Sequence, residues 1–310
     1  MDRDERLQSE LAFQADRASR MGRIQPTPGH VVERYREARS WRLFPAEFLF
    51  AHLRDIWDRE VLDFGCGDGA LSVIMARLGA RVTGLDISPQ LIGVARQRAA
   101  LNGVADRIRF IVRDITVSPL EADRFDFAVC NLVLHHVDLR AAVPPILAAL
   151  KPGGTAVVVE PIAFSPWLQR VRDRVPIDKR ASPGERPLNE DEVTFVVEQL
   201  AGPERTYFNL LGRLRRLFPN RHGTDTGHPV TRACLFLLHA ADRLLLTTFP
   251  GLEKYCGNVA IVGTKPVSVA DPAVGGLWRA TPAAATAGAS PGFAGADRLA
   301  PRHARARGDG

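Results

Sequence analysis

The sequence predicts an α/β protein, a mostly parallel sheet with helices on both faces, and three observations carry that prediction. Short apolar runs enriched in Val, Ile, Leu and Phe recur at residues 61–64, 82–86, 109–112, 125–131 and 155–160. Helical patterns fill three of the intervals, at 71–78, 90–102 and 141–150, and strands that alternate with helices build parallel sheets. Two glycine turns, 65–69 and 151–154, punctuate the first and fifth strands.

Ahead of the first strand, residues 1–25 are polar and arginine-rich, with Leu7, Leu11 and Ala15 at helical spacing, which predicts an initial helix. Beyond Pro26-Thr27-Pro28-Gly29, further helices are expected over 31–41 and 45–57. Residues 1–44 thus read as an N-terminal helical cap. Its Tyr35, Arg39, Trp41 and Phe44 either roof a pocket or pack on the sheet.

The first strand runs into Gly65-Cys66-Gly67-Asp68-Gly69. Glycines two apart let the backbone turn sharply and press against a ligand, and the helix that follows aims its free N–H groups at an anionic group. Twenty-one residues after Gly65 the second strand ends at Asp86, placed to accept hydrogen bonds from a ribose diol. Asp86-Ile87-Ser88 leads into the helix 90–102, and the third strand ends near another acid, Asp114. The fourth strand closes on Asn131 and passes into Leu132-Val133-Leu134-His135-His136-Val137. After the helix 141–150 and the turn Lys151-Pro152-Gly153-Gly154, the fifth strand ends at Glu160.

Taken in order, VLDFGCGDG, GLDIS, FIVRDI, FDFAVCNLVLHHV and LKPGGTAVVVE resemble the class I S-adenosylmethionine-dependent methyltransferases, and most closely their small-molecule branch. The resemblance covers roughly 61–160, with a weaker echo of the family's closing antiparallel strand at 258–265. It implies a Rossmann-like, mostly parallel seven-stranded sheet, a methyltransferase domain over 45–265 and S-adenosylmethionine as cofactor. It also implies that Asp63, Gly65, Gly67 and Gly69 face the methionine part of the cofactor, Asp86 the ribose, and Asp114 with Ile115 the adenine. Asn131 and Leu132 would border the sulfonium and the substrate. Cys66 and Ile87 complete the expected cofactor-binding set, Cys66 as a small residue tolerated in the turn rather than a reactive thiol.

Methyl transfer from a sulfonium is an in-line displacement, so the protein's main task is positioning, together with removal of a proton from a phenol or alcohol acceptor. A histidine near its normal pKa can take that proton. His135 and His136 follow the fourth strand, at the carboxyl edge that lines the ligand crevice in an open parallel sheet. From an extended segment one would face the pocket and the other brace the loop, and His136 is the favoured base; a purely structural or orienting role for both stays open. Glu160 is expected to orient His136, to bind a substrate hydroxyl, or to lie on the surface.

Substrate identity is expected to be written in an insertion at about 161–257, far longer than an ordinary connection. It holds a turn at 182–188, a helix over 190–200 capped by Asn189 with Glu192 at capping-box spacing, and a stripe of Leu210, Leu211, Leu214, Leu217 and Phe218. That stripe packs on its own domain or meets a membrane surface or lipid-like substrate. Residues 235–246 are apolar around most of a helix, as a buried helix or a dimer seam would be, which leaves a homodimer open. Residues 266–310, dominated by Ala, Gly, Pro and Arg, are expected to be a disordered tail.

Of 310 residues, 41 are Lys or Arg and 35 Asp or Glu, and the resulting charge of +6 is interleaved rather than gathered into a basic block, so no nucleic-acid partner is expected. Cys66, Cys130, Cys234 and Cys256 are scattered, which indicates neither a metal site nor a disulfide framework and fits a cytoplasmic protein. No stretch reads as a secretory leader or a bilayer span. The expected acceptor is a small hydroxylated, aromatic or lipid-like metabolite of a biosynthetic pathway, methylated on oxygen first, carbon second and nitrogen third. Three rivals stand beside it. Gly65, Gly67, Ala70 and Asp86 also suit an NAD-dependent oxidoreductase; a nucleic-acid methyltransferase and a cofactor-binding partner protein without turnover are the others.

Overall fold

The computed structural model describes residues 3–36, 44–53, 55–165, 167, 170, 186–212 and 229–267. Seven strands form one sheet: β1 (Glu60–Phe64), β2 (Arg81–Asp86), β3 (Ile108–Val112), β4 (Phe125–Asn131), β5 (Leu150–Pro161), β6 (Ala201–Phe208) and β7 (Asn258–Thr264). Their order is β3-β2-β1-β4-β5-β7-β6, with β7 antiparallel to both β5 and β6 and the remaining pairs parallel. The chain leaves β1 in one direction for β2 and β3, then returns to its other side for β4 and β5. The carboxyl ends of β1 and β4 therefore flank the topological switch point, where open α/β sheets form a ligand crevice.

Strand parity divides the core. Val61, Val129, Val157 and Val159 point to one face, where they meet α3 (Pro45–Ala51), α4 (Ala70–Arg77) and α5 (Pro89–Leu101). Leu62, Ala128, Cys130 and Val158 point to the other, under α6 (Leu139–Ala149) and α7 (Glu190–Glu198). Val61, Leu62, Leu85, Val129 and Val157 are removed from solvent altogether, and each such side chain contributes about 1.5–3 kcal/mol relative to exposure. Burial on both faces is what the near-continuous apolar runs encode.

Helix starts follow local rules. Ser88 accepts the Leu91 N–H at 3.2 Å ahead of Pro89, and Asp138 accepts that of Arg140 at 2.9 Å. The capping box at Asn189 forms as expected: its side chain accepts the Glu192 N–H at 2.9 Å, and Glu192 accepts the Asn189 N–H at 3.0 Å. A cap of this kind is worth about 1 kcal/mol.

Several expectations are corrected. Lys151-Pro152-Gly153-Gly154 is not a turn before β5 but part of it, marked by a register shift opposite Phe125 and Phe127 and by φ of +71° at Gly153. The helix expected over 45–57 stops at Ala51. β6 was not foreseen: it lies inside the long segment before β7, paired at the edge of the sheet. α8 (Pro229–Thr248) spans the apolar stretch, yet Phe236, Leu237 and Leu244 are exposed, so it is not a buried helix. Tyr35, in α2 (Gly29–Arg36), stacks on Phe50 at 4.3 Å against the core, while Phe44 packs on the buried His239 of α8 at 4.2 Å. Arg39, Trp41, most of the 182–188 turn, residues 213–218 of the leucine stripe and the tail from 268 lie outside the described residues. Among the described residues no helix is long and apolar enough to cross a membrane.

Candidate cofactor and acceptor site

The three glycines after β1 all have left-handed backbone, with φ of +71° at Gly65, +53° at Gly67 and +74° at Gly69, where an L side chain is strained. They differ in what surrounds them. A Cβ at Gly65 would collide with Val133 in the loop after β4, and one at Gly69 would sit 2.7 Å from the Ala95 Cβ of α5. At Gly67 nothing lies within 4 Å. Gly65 and Gly69 are thus required by packing, and Gly67 alone presents bare backbone to open space.

Carboxylates surround that opening. Asp86 accepts the Gly67 N–H at 2.9 Å through Oδ2 and the Ser88 N–H at 2.8 Å through Oδ1. Burial raises its pKa, against the lowering effect of those two hydrogen bonds. Asp63, the last residue but one of β1, is 2 % exposed and accepts the Ser72 hydroxyl at 2.5 Å. Burial pushes its carboxyl to about 7, opposed by the Ser72 hydrogen bond and reinforced by the charges of Asp86 and Asp68. A buried acid poised in this way gains from a cationic neighbour. Asp114 accepts the N–H and hydroxyl of Thr116 at 2.9 and 2.6 Å, which fixes the loop after β3. The Ile115 side chain is 1 % exposed and belongs to the core beneath α6, which leaves only its backbone toward the opening. Ile87 is half-buried at the end of β2.

After β4, Asn131 is half-buried and Leu132 is exposed with φ of +58°, a conformation costing a non-glycine residue about 1–2 kcal/mol. Its N–H is held by the Val159 carbonyl at 2.8 Å. Beyond it Leu134–His136 form a 3₁₀ turn rather than an extended segment, so the two imidazoles do not diverge: their ring centroids are 4.1 Å apart.

Glu160, at the end of β5, is fully buried. One carboxylate oxygen accepts the N–H groups of Val133 and Leu134 at 2.9 and 2.7 Å, and the other lies 2.6 Å from His135 Nδ1. The expectation that Glu160 orients His136, or lies on the surface, is therefore corrected, because the turn carries His135 over the carboxylate. His136 instead directs Nδ1 toward Glu10 Oε2, at 3.4 Å, on α1 (Arg3–Ser19). Glu10 and Ser72 were not identified from sequence. A serine nine residues after Asp63 carries a weak signal, since it falls on the buried face of α4, but a carboxylate 126 positions from its histidine carries none.

The buried thiols offer no nucleophile. Burial, then the Asp63 charge, raises Cys66 well above the ordinary thiol range, and burial with Glu160 and Asp63 does the same for Cys130. Among the described residues no cluster of three or more His, Cys, Asp or Glu is placed to hold a metal ion.

Known proteins resemble this chain in sequence and in fold. A family profile described as a methyltransferase domain matches residues 62–158. A ubiquinone biosynthesis O-methyltransferase of Xanthomonas oryzae pv. oryzae (strain PXO99A) is 41 % identical over 112 residues, 35 % of this chain and 45 % of the relative. A ribosomal protein L11 methyltransferase of Haemophilus influenzae (strain PittEE) is 40 % identical over 101 residues, 32 % of each chain. The chain thus spans less than half the length of these curated relatives. The fold is shared with the geranyl diphosphate C-methyltransferase of Streptomyces coelicolor A3(2), at a TM-score of 0.55 and 16 % identity over 84 % of this chain and 98 % of that one. Residues 62–158 thus carry a methyltransferase-domain sequence, and the seven-stranded sheet that holds them has the fold of a known methyltransferase.

Proposed function

We propose that this protein transfers the methyl group of S-adenosylmethionine to a small-molecule acceptor, on oxygen in the first instance, with carbon and then nitrogen as alternatives. The observation that carries the reading is the bare Gly67 backbone set beside two partly desolvated acids, Asp63 and Asp86. In it, the glycine turn and Asp63 hold the amino-acid end of the cofactor, Asp86 with Ile87 the ribose, and the Asp114 loop the base. Asn131 and Leu132 face the reacting end. When bound, the cofactor supplies an electrophilic methyl on a positively charged sulfur.

The protein's own chemistry is positioning and proton removal. Glu160 takes up His135 Nδ1, so any proton exchanged with an acceptor hydroxyl passes through Nε2. The buried carboxylate fixes the tautomer and favours the imidazolium that forms. Oxygen is preferred because such a pair serves an acceptor that must lose a proton, and because ubiquinone biosynthesis O-methyltransferases are among the similar proteins. A hydroxylated aromatic or lipid-like metabolite fits both points. The 161–257 segment, with its edge strand and α8, is the part of the chain we assign to acceptor choice.

Calorimetry with S-adenosylhomocysteine, followed by a metabolite screen with mass detection of methyl gain, tests the proposal. Binding of NAD in place of S-adenosylhomocysteine would restore the oxidoreductase reading. Cofactor binding with no turnover on any acceptor would favour a partner protein without catalysis.

A further inference from the structure

α1 is inverted relative to an ordinary surface helix. Its apolar residues Leu7 and Leu11 are only half-buried, whereas Gln14, a polar residue, is 8 % exposed and the most buried described side chain of the helix. An amphipathic helix docked for packing alone turns its leucines inward and leaves glutamine in water. Glu10, Gln14 and Arg17 follow the i, i+4, i+7 spacing of one helix face. Gln14 Nε2 donates to Glu10 Oε1 at 2.6 Å, and Glu10 Oε2 lies 3.4 Å from His136 Nδ1, with the two side chains 12 % and 18 % exposed. α1 also packs against α5, the helix that follows β2, and from there the charges of Arg17 and Glu10 act on the Asp86 carboxyl. α1 therefore bridges the two sides of the switch point, the β2 acid on one and the histidine turn after β4 on the other.

We propose that Glu10 is a positioning residue for His136, and that α1, by closing its polar face over the crevice, forms part of the methyl-transfer site. This rests on the methyltransferase reading above. Groups that face His136 include Glu10 from α1, the His135 ring on its own turn and, behind His135, Glu160 from β5. Each imidazole of the pair has its own carboxylate at Nδ1, one from the sheet and one from the N-terminal helix. The rings lie against each other at a tilt of 38°, with their other nitrogens directed away from those acids. A site that must admit a cofactor and then exclude water has reason to carry one carboxylate on a separate helix, because closure and ring alignment become the same event.

The test uses the full chain, labelled with ¹⁵N-histidine, with Glu10→Ala and Glu10→Asp variants. Alanine preserves the helix and aspartate keeps the charge. The expected result is that the His136 Nδ1 resonance moves in Glu10→Ala and returns toward its original position in Glu10→Asp, while melting temperatures stay the same. In hydrogen exchange, saturating S-adenosylhomocysteine should slow the amides of 3–19 about tenfold in the native chain and much less in Glu10→Ala. If calorimetry shows S-adenosylhomocysteine binding while the His136 resonance and the exchange of 3–19 are both unmoved, the proposal is overturned. If S-adenosylhomocysteine does not bind, the methyltransferase reading fails, and a His136 resonance unmoved in Glu10→Ala then removes the pairing as well.

Discussion

Asp86 ties down Gly67: the acid that ends β2 accepts, at 2.9 Å, the N–H of the central glycine after β1. One carboxylate thus shapes the turn and edges the space the turn leaves open. Asp86→Ala should weaken S-adenosylhomocysteine binding on the order of 100-fold, since it removes the proposed ribose acceptor and frees the loop. Asp86→Asn, which keeps one acceptor oxygen, should lose less. Titration calorimetry of the two variants measures the difference.

Gly65 and Gly67 separate the packing and binding roles of the turn. At Gly65 an added methyl meets Val133 in a left-handed backbone, so Gly65→Ala should destabilise the fold by about 2–4 kcal/mol in urea. At Gly67 the same methyl meets nothing, and only the backbone strain of about 1 kcal/mol applies. Gly67→Ala should therefore melt close to the native protein while losing most of its S-adenosylhomocysteine affinity. Equal losses of stability in the two variants would contradict this division.

The pattern of what sequence revealed follows from the range of the interactions involved. β1, β2, β4, β5 and β7 announce themselves because burial on both faces demands near-continuous apolar runs such as Val157-Val158-Val159. β6 is an exposed edge strand beginning Ala201-Gly202-Pro203-Glu204, and its pairing with β7 rather than its own composition makes it a strand. The acids of the turn were legible because strand ends fix them. The partners of the two histidines were not, because a one-turn helix at Leu134–His136 decides which ring meets Glu160. A rule written for extended chain selects the other.

Glu160, fully buried, accepts the N–H groups of Val133 and Leu134 and faces His135 Nδ1. Glu160→Gln keeps an oxygen for Val133 and Leu134 but turns an amide NH₂ toward His135 Nδ1, which favours the tautomer with its proton on Nε2. That tautomer cannot take a proton from an acceptor at Nε2. Once an acceptor is in hand, kcat should fall on the order of 10³-fold with cofactor affinity nearly unchanged. A parallel collapse of S-adenosylhomocysteine binding would instead assign Glu160 to holding the loop alone.

Asp63 should tie stability and cofactor affinity to pH in opposite directions. Its carboxyl sits at about 7 in the fold against an ordinary value of 3.8, so between those limits the unfolded chain is ionised while the folded one keeps its proton. The folded state binds more protons there, and stability of the ligand-free protein falls as pH rises from about 4 to about 7, then levels off. The cost of ionising it in place is on the order of 4 kcal/mol. A cationic amino group beside Asp63 favours the ionised form, so S-adenosylhomocysteine should bind up to about tenfold more tightly for each pH unit gained below 7. Asp63→Asn has no proton to lose. Its urea stability should lack this decline between pH 5 and 7, and its binding should be weaker and nearly independent of pH over the same window. A native protein whose affinity ignores pH while that of Asp63→Asn matches it would place the cofactor's ammonium elsewhere.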